Sequence, residues 1–196
     1  LGYGDFNARR NAKNFTREEV AAAVSYCHTR GTRVHLTLNT LLTDRELPAA
    51  AQVAEETGNP AGAIELPSGE VVTGKTTDLM GASSATLLNA LKRLAGIDHQ
   101  HHLISREAIE PIQAVKVNHL GSVNPRLHSD ETLIALAISA TTNPLAKRAL
   151  DQLSALRGCE AHSTVILSPV DSGTYSRLGL RLTCEPQYET NKLYHK

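Results

Sequence analysis

The sequence predicts an α/β or α+β fold: one main mixed domain preceded by a βαβα fragment. Three observations carry this reading. Short runs of alternating or β-branched apolar residues are interleaved with segments of helical spacing. Gly, Pro, Asn and Ser mark the junctions between them. The rhythm also changes near Thr57-Gly58-Asn59-Pro60, from strand–helix repeats to a hairpin followed mostly by helices. With 196 residues the chain has room for a real core in one domain or two small ones.

Residues 1–15, LGYGDFNARRNAKNF, read as a strand end and a loop. Thr16 reads as an N-cap, with Glu18 and Glu19 where the helix dipole favours acids. Val20, Ala23, Val24 and Cys27 keep helical spacing, and Gly31 stops the helix. Residues 33–41 (RVHLTLNTL) alternate as a strand, and Thr43 or Asp44 caps a second helix running to about Glu56. Such βαβα units build parallel sheets or barrels. Beyond the break, residues 63–66 and 70–74 form a hairpin around Pro67-Ser68-Gly69. Ser83 and Ser84 offer caps for the helix SATLLNALKRLAG, which Gly96 closes. The His-rich residues 98–104 lead into a short strand, and a helix follows from Glu107 to about Val117, limited by Pro111. After a loop over 118–129, Ser129 caps an apolar, buried helix. Asn143-Pro144 ends that helix and starts another, LAKRALDQLSAL, with Pro in its first turn. Residues 162–168 and 179–186 are strands, and the tail is polar.

Composition narrows the function classes. Lys plus Arg equals Asp plus Glu, 20 each, so there is no basic excess of the kind a nucleic-acid footprint needs. Aromatic residues are too sparse for a base-stacking platform, with no Trp, two Phe and five Tyr. Three cysteines, Cys27, Cys159 and Cys184, give no disulfide framework and suit a reducing cytosol. No apolar run approaches the ~18 residues of a membrane span. No secretory signal opens the chain, which starts at Leu1 rather than Met. The expectation is a cytoplasmic protein that engages neither membrane nor nucleic acid, with homo-oligomerisation left open and the cofactor unknown.

Several clusters carry candidate chemistry. Gly69 to Thr76, GEVVTGKT, matches the phosphate-loop pattern letter for letter. Its middle residues prefer a strand, however, and a phosphate loop needs a turn between strand and helix, so a hairpin strand is the favoured reading. A milder anion site survives: Lys75 and Thr76, with Ser83 and Ser84, sit between a strand and a helix N-terminus. Against it stands ordinary helix capping. His99, His101 and His102 suggest a metal, but a solvated loop is favoured and no metal is assigned. Cys159 and His162 have the types of a nucleophile and its base, or of zinc ligands with Cys184. Buried packing is the usual fate of a free cysteine and is the preferred reading. His119 and Arg126 sit in a polar loop before a helix, where Arg126 suits a carboxylate or phosphate. Turn chemistry explains that loop equally well.

Two stretches resemble known families. From Ala61 to Lys196 the text resembles the C-terminal part of the bacterial family called domain of unknown function 1846. The resemblance runs through AIELPSGEVVTGKTTDLMGASSATLLNALKRLAGI, HLISREAIEPIQ, HLGSVNPRLHSDETLIALAISATTNP, LRGCEAHSTVILS and LTCEPQYETNKLYHK. It implies a cytosolic α/β protein without an established activity, normally much longer, with an N-terminal α/β region that this chain lacks. Residues 1 to about 50, through LGYGDFNARRNAKNFTREEV and YCHTRGTRVHLTLNTLLTDREL, resemble the collagenase-like peptidases of family U32. That resemblance implies a (β/α) barrel piece and links to proteolysis or RNA hydroxylation. A closed barrel needs eight strand–helix units and this segment supplies about two, so peptidase activity is not carried over as the leading reading. The division expected is 1–56 and 57–196, with the seam between Pro48 and Pro60 and a composite of two gene fragments as its simplest account. The leading function is a domain binding an anionic small molecule or nucleotide, with Lys75, Thr76, Ser83, Ser84, His119 and Arg126 as ligand contacts and Cys159 and His162 as the catalytic pair. The alternatives are a peptidase-like or RNA-hydroxylation role through the N-terminal piece, and a structural or oligomerisation module without catalysis.

Overall fold

Leu66-Pro67-Ser68-Gly69 closes the central hairpin. The Gly69 N–H donates to Leu66 O, and Gly69 itself takes φ +79°, a left-handed conformation that glycine adopts without a Cβ penalty. This turn belongs to a computed structural model that describes residues 45–189 together with Ala22, Ser25–Cys27 and Thr29–Gly31. The chain divides into two units, 1–43 and 44–196. In the first, Ser25–Cys27 are helical and Gly31 has φ +71°, as its reading as a helix stop requires. The strands expected in 1–15 and 33–41, the caps at Thr16, Thr43 and Asp44, and the polar tail lie outside the described residues.

The second unit contains α1 (Glu46–Thr57), β1 (Ala61–Glu65), β2 (Val71–Lys75), α2 (Ala82–Leu94), α3 (Arg106–Asn118), α4 (Ser129–Ser139), α5 (Pro144–Leu150), a 3-10 turn (Leu153–Leu156), β3 (Glu160–Ser163), α6 (Pro169–Leu178) and β4 (Arg181–Cys184). The strands form one mixed sheet in the order β2-β1-β3-β4. β1 pairs antiparallel with both β2 and β3, and β3 pairs parallel with β4 across the α6 connection. This is the mixed α/β architecture that the sequence predicts.

Two glycines set how closely the layers pack. A Cβ on Gly62 would lie 2.8 Å from Thr86 Oγ1, and one on Gly74 would lie 2.3 Å from the Thr86 backbone N. That face of the sheet also carries Ile64 and Ala161, which join Leu87 and Leu91 of α2 in the core. α1 packs on β1, β2 and β3. Among the described residues no helix is long and apolar enough to cross a membrane.

Several local expectations are corrected. Gly81, not Ser83 or Ser84, is the N-cap of α2, and Thr76 Oγ1 accepts the Ala82 N–H in its place. His128, not Ser129, is the N-cap of α4, whose Glu131 carboxylate accepts the His128 N–H. That helix is not buried throughout, since Ile134 and Ile138 are 61% and 64% exposed. No strand follows the His-rich residues, and the third strand is Glu160–Ser163 rather than 162–168. The helix after Asn143 stops at Leu150 and resumes as a 3-10 turn. α3 continues through Pro111, which sits inside the helix. The sequence reading missed α6, where Ser172, Gly173 and Thr174 depress helical propensity.

Candidate functional site

Three helices aim their N-termini at one cavity. Gly81, His128 and Ser168, the N-cap residues of α2, α4 and α6, all line a space of about 460 Å³. A helix N-terminus presents unpaired amides and the positive end of its dipole, and both favour an anion. The three ends are held together by specific contacts. The Gly81 N–H and Ser84 Oγ both donate to Leu127 O, at 3.3 and 2.9 Å, and the Leu127 N–H donates to Leu79 O at 3.0 Å. The Tyr175 hydroxyl of α6 donates to Ser83 O at 2.8 Å, and burial pushes its phenol well above the usual range.

On the wall sits a histidine–aspartate pair. His128 Nδ1 lies 2.8 Å from Asp171 Oδ2, and Ser168 Oγ donates to the same oxygen at 2.7 Å. The other oxygen, Oδ1, accepts the Ser129 N–H at 2.8 Å and Ser129 Oγ at 2.6 Å. Asp171 is buried, and burial alone opposes its ionisation. The bonds from His128, Ser129 and Ser168 outweigh that and hold its carboxyl well below the usual carboxylate range. In return the bond to Asp171 raises the His128 imidazole above its ordinary value, against a smaller opposing effect of burial. Nearby, Arg126 pairs with Glu189 at 2.7 Å, and both line the cavity. The Lys116 ammonium behind it donates to Glu131 at 2.6 Å and to Arg126 O at 2.7 Å.

Of the candidate residues, Thr76, Ser83 and Arg126 line this cavity. Ser83 is only 5% exposed, and its hydroxyl has no partner among the described residues. Lys75 is exposed at the end of β2, Ser84 is buried against Leu127 O, and His119 is the C-cap of α3; none of these three lines the cavity. The phosphate-loop letters fall on the hairpin: Val71 to Lys75 form an extended strand paired with β1, not a turn between a strand and a helix. Cys159 and His162 are not brought together: Cys159 precedes β3, whereas His162 lies within it, and the two have different partners. Cys159 joins the core and donates to Ala155 O, and burial pushes its thiol up. His162 instead meets Thr183 Oγ1 at 2.8 Å and Glu185 at 3.5 Å; burial lowers its imidazole although Glu185 pulls the other way. A buried thiol of this kind is a poor nucleophile. In the folded chain at pH 7, Cys159 is expected to react with iodoacetamide at least about tenfold more slowly than a free thiol. Alkylation read peptide by peptide checks this, and a rate equal to free cysteine would contradict its burial. No group of three metal-ligating side chains occurs among the described residues.

Sequence reasoning missed His128, Ser129, Ser168 and Asp171. The signal available was Ser168-Pro169-Val170-Asp171, a hydroxyl cap with a carboxylate three residues on and Pro at the first helical position.

The elements and the cavity define a mixed α/β domain with a polar site where helices begin. The chain belongs to the family described as domain of unknown function DUF1846, C-terminal, whose model matches residues 43–194. Residues 1–63 match the model of peptidase family U32. A UPF0371 protein of Corynebacterium diphtheriae is 57% identical over 147 residues, covering 75% of this chain and 30% of the relative. A UPF0371 protein of Corynebacterium glutamicum is 55% identical over 154 residues, 78% of this chain and 31% of the relative. One of Streptococcus pyogenes serotype M5 is 53% identical over the same length, with the same coverage of 78% and 31%. The chain thus spans 30–31% of the length of these curated relatives.

Proposed function

We propose that the cavity at the three helix N-termini binds the anionic end of a small molecule, a phosphate or a carboxylate. The observation that carries this is Ser83, a residue only 5% exposed on the cavity wall, whose hydroxyl has no protein partner among the described residues and stays open to the cavity. A hydroxyl that faces the cavity beside helix N-termini, without a protein partner, is free to donate to a ligand oxygen. Arg126 supports the reading with a guanidinium at the rim, held ready by Glu189.

Calorimetric titration of the full chain with sulfate, inorganic phosphate and a nucleoside monophosphate tests the proposal. Binding by at least one of them is expected, and heat from none of them at millimolar concentration overturns it. Arg126→Ala is expected to weaken that binding about tenfold, the effect of losing one charge-assisted hydrogen bond of ~1.4 kcal/mol. An unchanged affinity would remove Arg126 from the site.

The match of residues 1–63 to peptidase family U32 favours a second reading, in which the N-terminal segment serves peptide hydrolysis or RNA hydroxylation. It requires turnover that depends on Arg9, Asn14 or Asn39, and turnover unchanged after replacing all three would sink it.

A further inference from the structure

The cavity holds a group whose charge can change in the ordinary pH range. His128 is a quarter exposed at its side chain and lines the cavity. Its Nδ1 is committed to Asp171, and its Nε2 has no partner among the described residues. The Asp171 carboxylate is itself saturated by the Ser129 N–H, Ser129 Oγ and Ser168 Oγ, so it stays an acceptor and keeps the proton on Nδ1. The tautomer is thereby fixed, and exchange with solvent or ligand falls to Nε2.

Other charges near the ring are already matched. Lys116 from α3 is paired with Glu131 of α4, and Arg126 from the preceding loop is paired with Glu189. Asp171 of α6 is the carboxylate in direct contact with the imidazole. Lys116 and Arg126 thus each face a carboxylate, whereas neutral His128 leaves the Asp171 carboxylate without a cationic partner until Nε2 is protonated.

We propose that His128 is the proton-exchanging group of the cavity: an anion enters together with one proton, which is held at Nε2 and donated to the ligand oxygen. This rests on the anion reading above. The balance is simple. Neutral His128, with its proton on Nδ1, takes a proton from solvent at Nε2, and the imidazolium Nε2–H then donates to the anion. No covalent bond to the ligand forms or breaks. Asp171 favours the imidazolium, and wherever the free ring is not yet protonated the anion completes the uptake. Affinity therefore falls as pH rises through the titration of free His128, approaching tenfold per pH unit above it.

Sulfate is the probe, because it does not titrate between pH 5 and 9 and any proton taken up belongs to the protein. Calorimetry of the full chain at a series of pH values from 5 to 9, in two buffers of different ionisation heat at each, reads the uptake directly. The wild type is expected to take up a sizeable fraction of one proton per sulfate. His128→Gln is expected to bind sulfate more weakly, with uptake near zero and affinity independent of pH. Sulfate binding by the wild type without buffer-dependent heat overturns the proposal while leaving the anion reading intact. The same uptake in His128→Gln overturns it equally. No sulfate binding at any pH removes both. Should the variant fail to fold, the wild-type His128 ring resonance decides, followed by NMR with and without sulfate. A rise in its midpoint of at least about half a unit is expected from linkage, and an unmoved midpoint overturns the proposal.

Discussion

Gly74→Ala is expected to destabilise the chain by about 3 kcal/mol, at the upper end of what overpacking usually costs. The new Cβ would lie 2.3 Å from Thr86 N and 2.7 Å from both Ala85 C and Thr86 Cα. All three are backbone atoms of α2, so no side chain can turn aside and the helix must lift from the sheet. Because α2 begins at the cavity, the same change is expected to weaken sulfate binding. Gly96→Ala is the control: at φ +63° with nothing within 4 Å, it meets only the left-handed penalty of about 1 kcal/mol. Urea denaturation of both variants reads the difference, and a Gly74→Ala cost no larger than the control would show that β2 and α2 separate without strain.

Asp171→Asn is the second large effect, again about 3 kcal/mol, as expected when charged hydrogen bonds to a buried carboxylate are lost. The loss should depend on pH in two directions. Asp171 titrates below its ordinary 3.8 in the folded chain, so its contribution is present above 3.8 and fades as pH falls towards that lowered value. His128 titrates above its ordinary 6.5, so its share is present below 6.5 and fades as pH rises through that raised value. The gap between wild type and variant is therefore widest between the two ordinary values. Thermal unfolding at a series of pH values measures it, and a gap that stays constant from pH 2 to 9 would mean that the pair contributes no linked stability.

Much of the fold was legible because its signals are local. The hairpin around Pro67-Ser68-Gly69 could be read from turn residues between β-branched runs, and α5 from Asn143-Pro144, where the Asn143 side chain does accept the first amides. What was misread involves competition between local and distant effects. Ser83 and Ser84 look like caps, yet Thr76 reaches in from the end of β2 and the two serines turn inward. Gly74 looks like part of an anion loop, but it is a glycine because a helix backbone passes over it. The candidate site was half legible for the same reason. Ser83 and Arg126 stand out by type in their own segments. His128 and Asp171 meet across 43 residues of chain, and no spacing rule connects them. Cys159 and His162 look paired because they are close in sequence, but Cys159 packs into the core ahead of β3 while His162 is held by Thr183 and Glu185.

The sheet order also has a consequence for how the chain matures. β1 meets β2 after one tight turn, but its other edge waits for β3, and the Ala61 N–H that donates to Thr164 Oγ1 bridges 103 residues. At synthesis rates of about 5–20 residues per second, a nascent chain carries that open edge for roughly 5–20 s before its partner leaves the ribosome. Over that interval the hairpin and α2 can form from local contacts, while the half-built sheet is a template for other strands. The cavity closes later still, because its walls run from Thr76 to Glu189. On the proposed reading, an anion is therefore no help to the emerging chain; it would meet its site only in a molecule whose last strand has already docked.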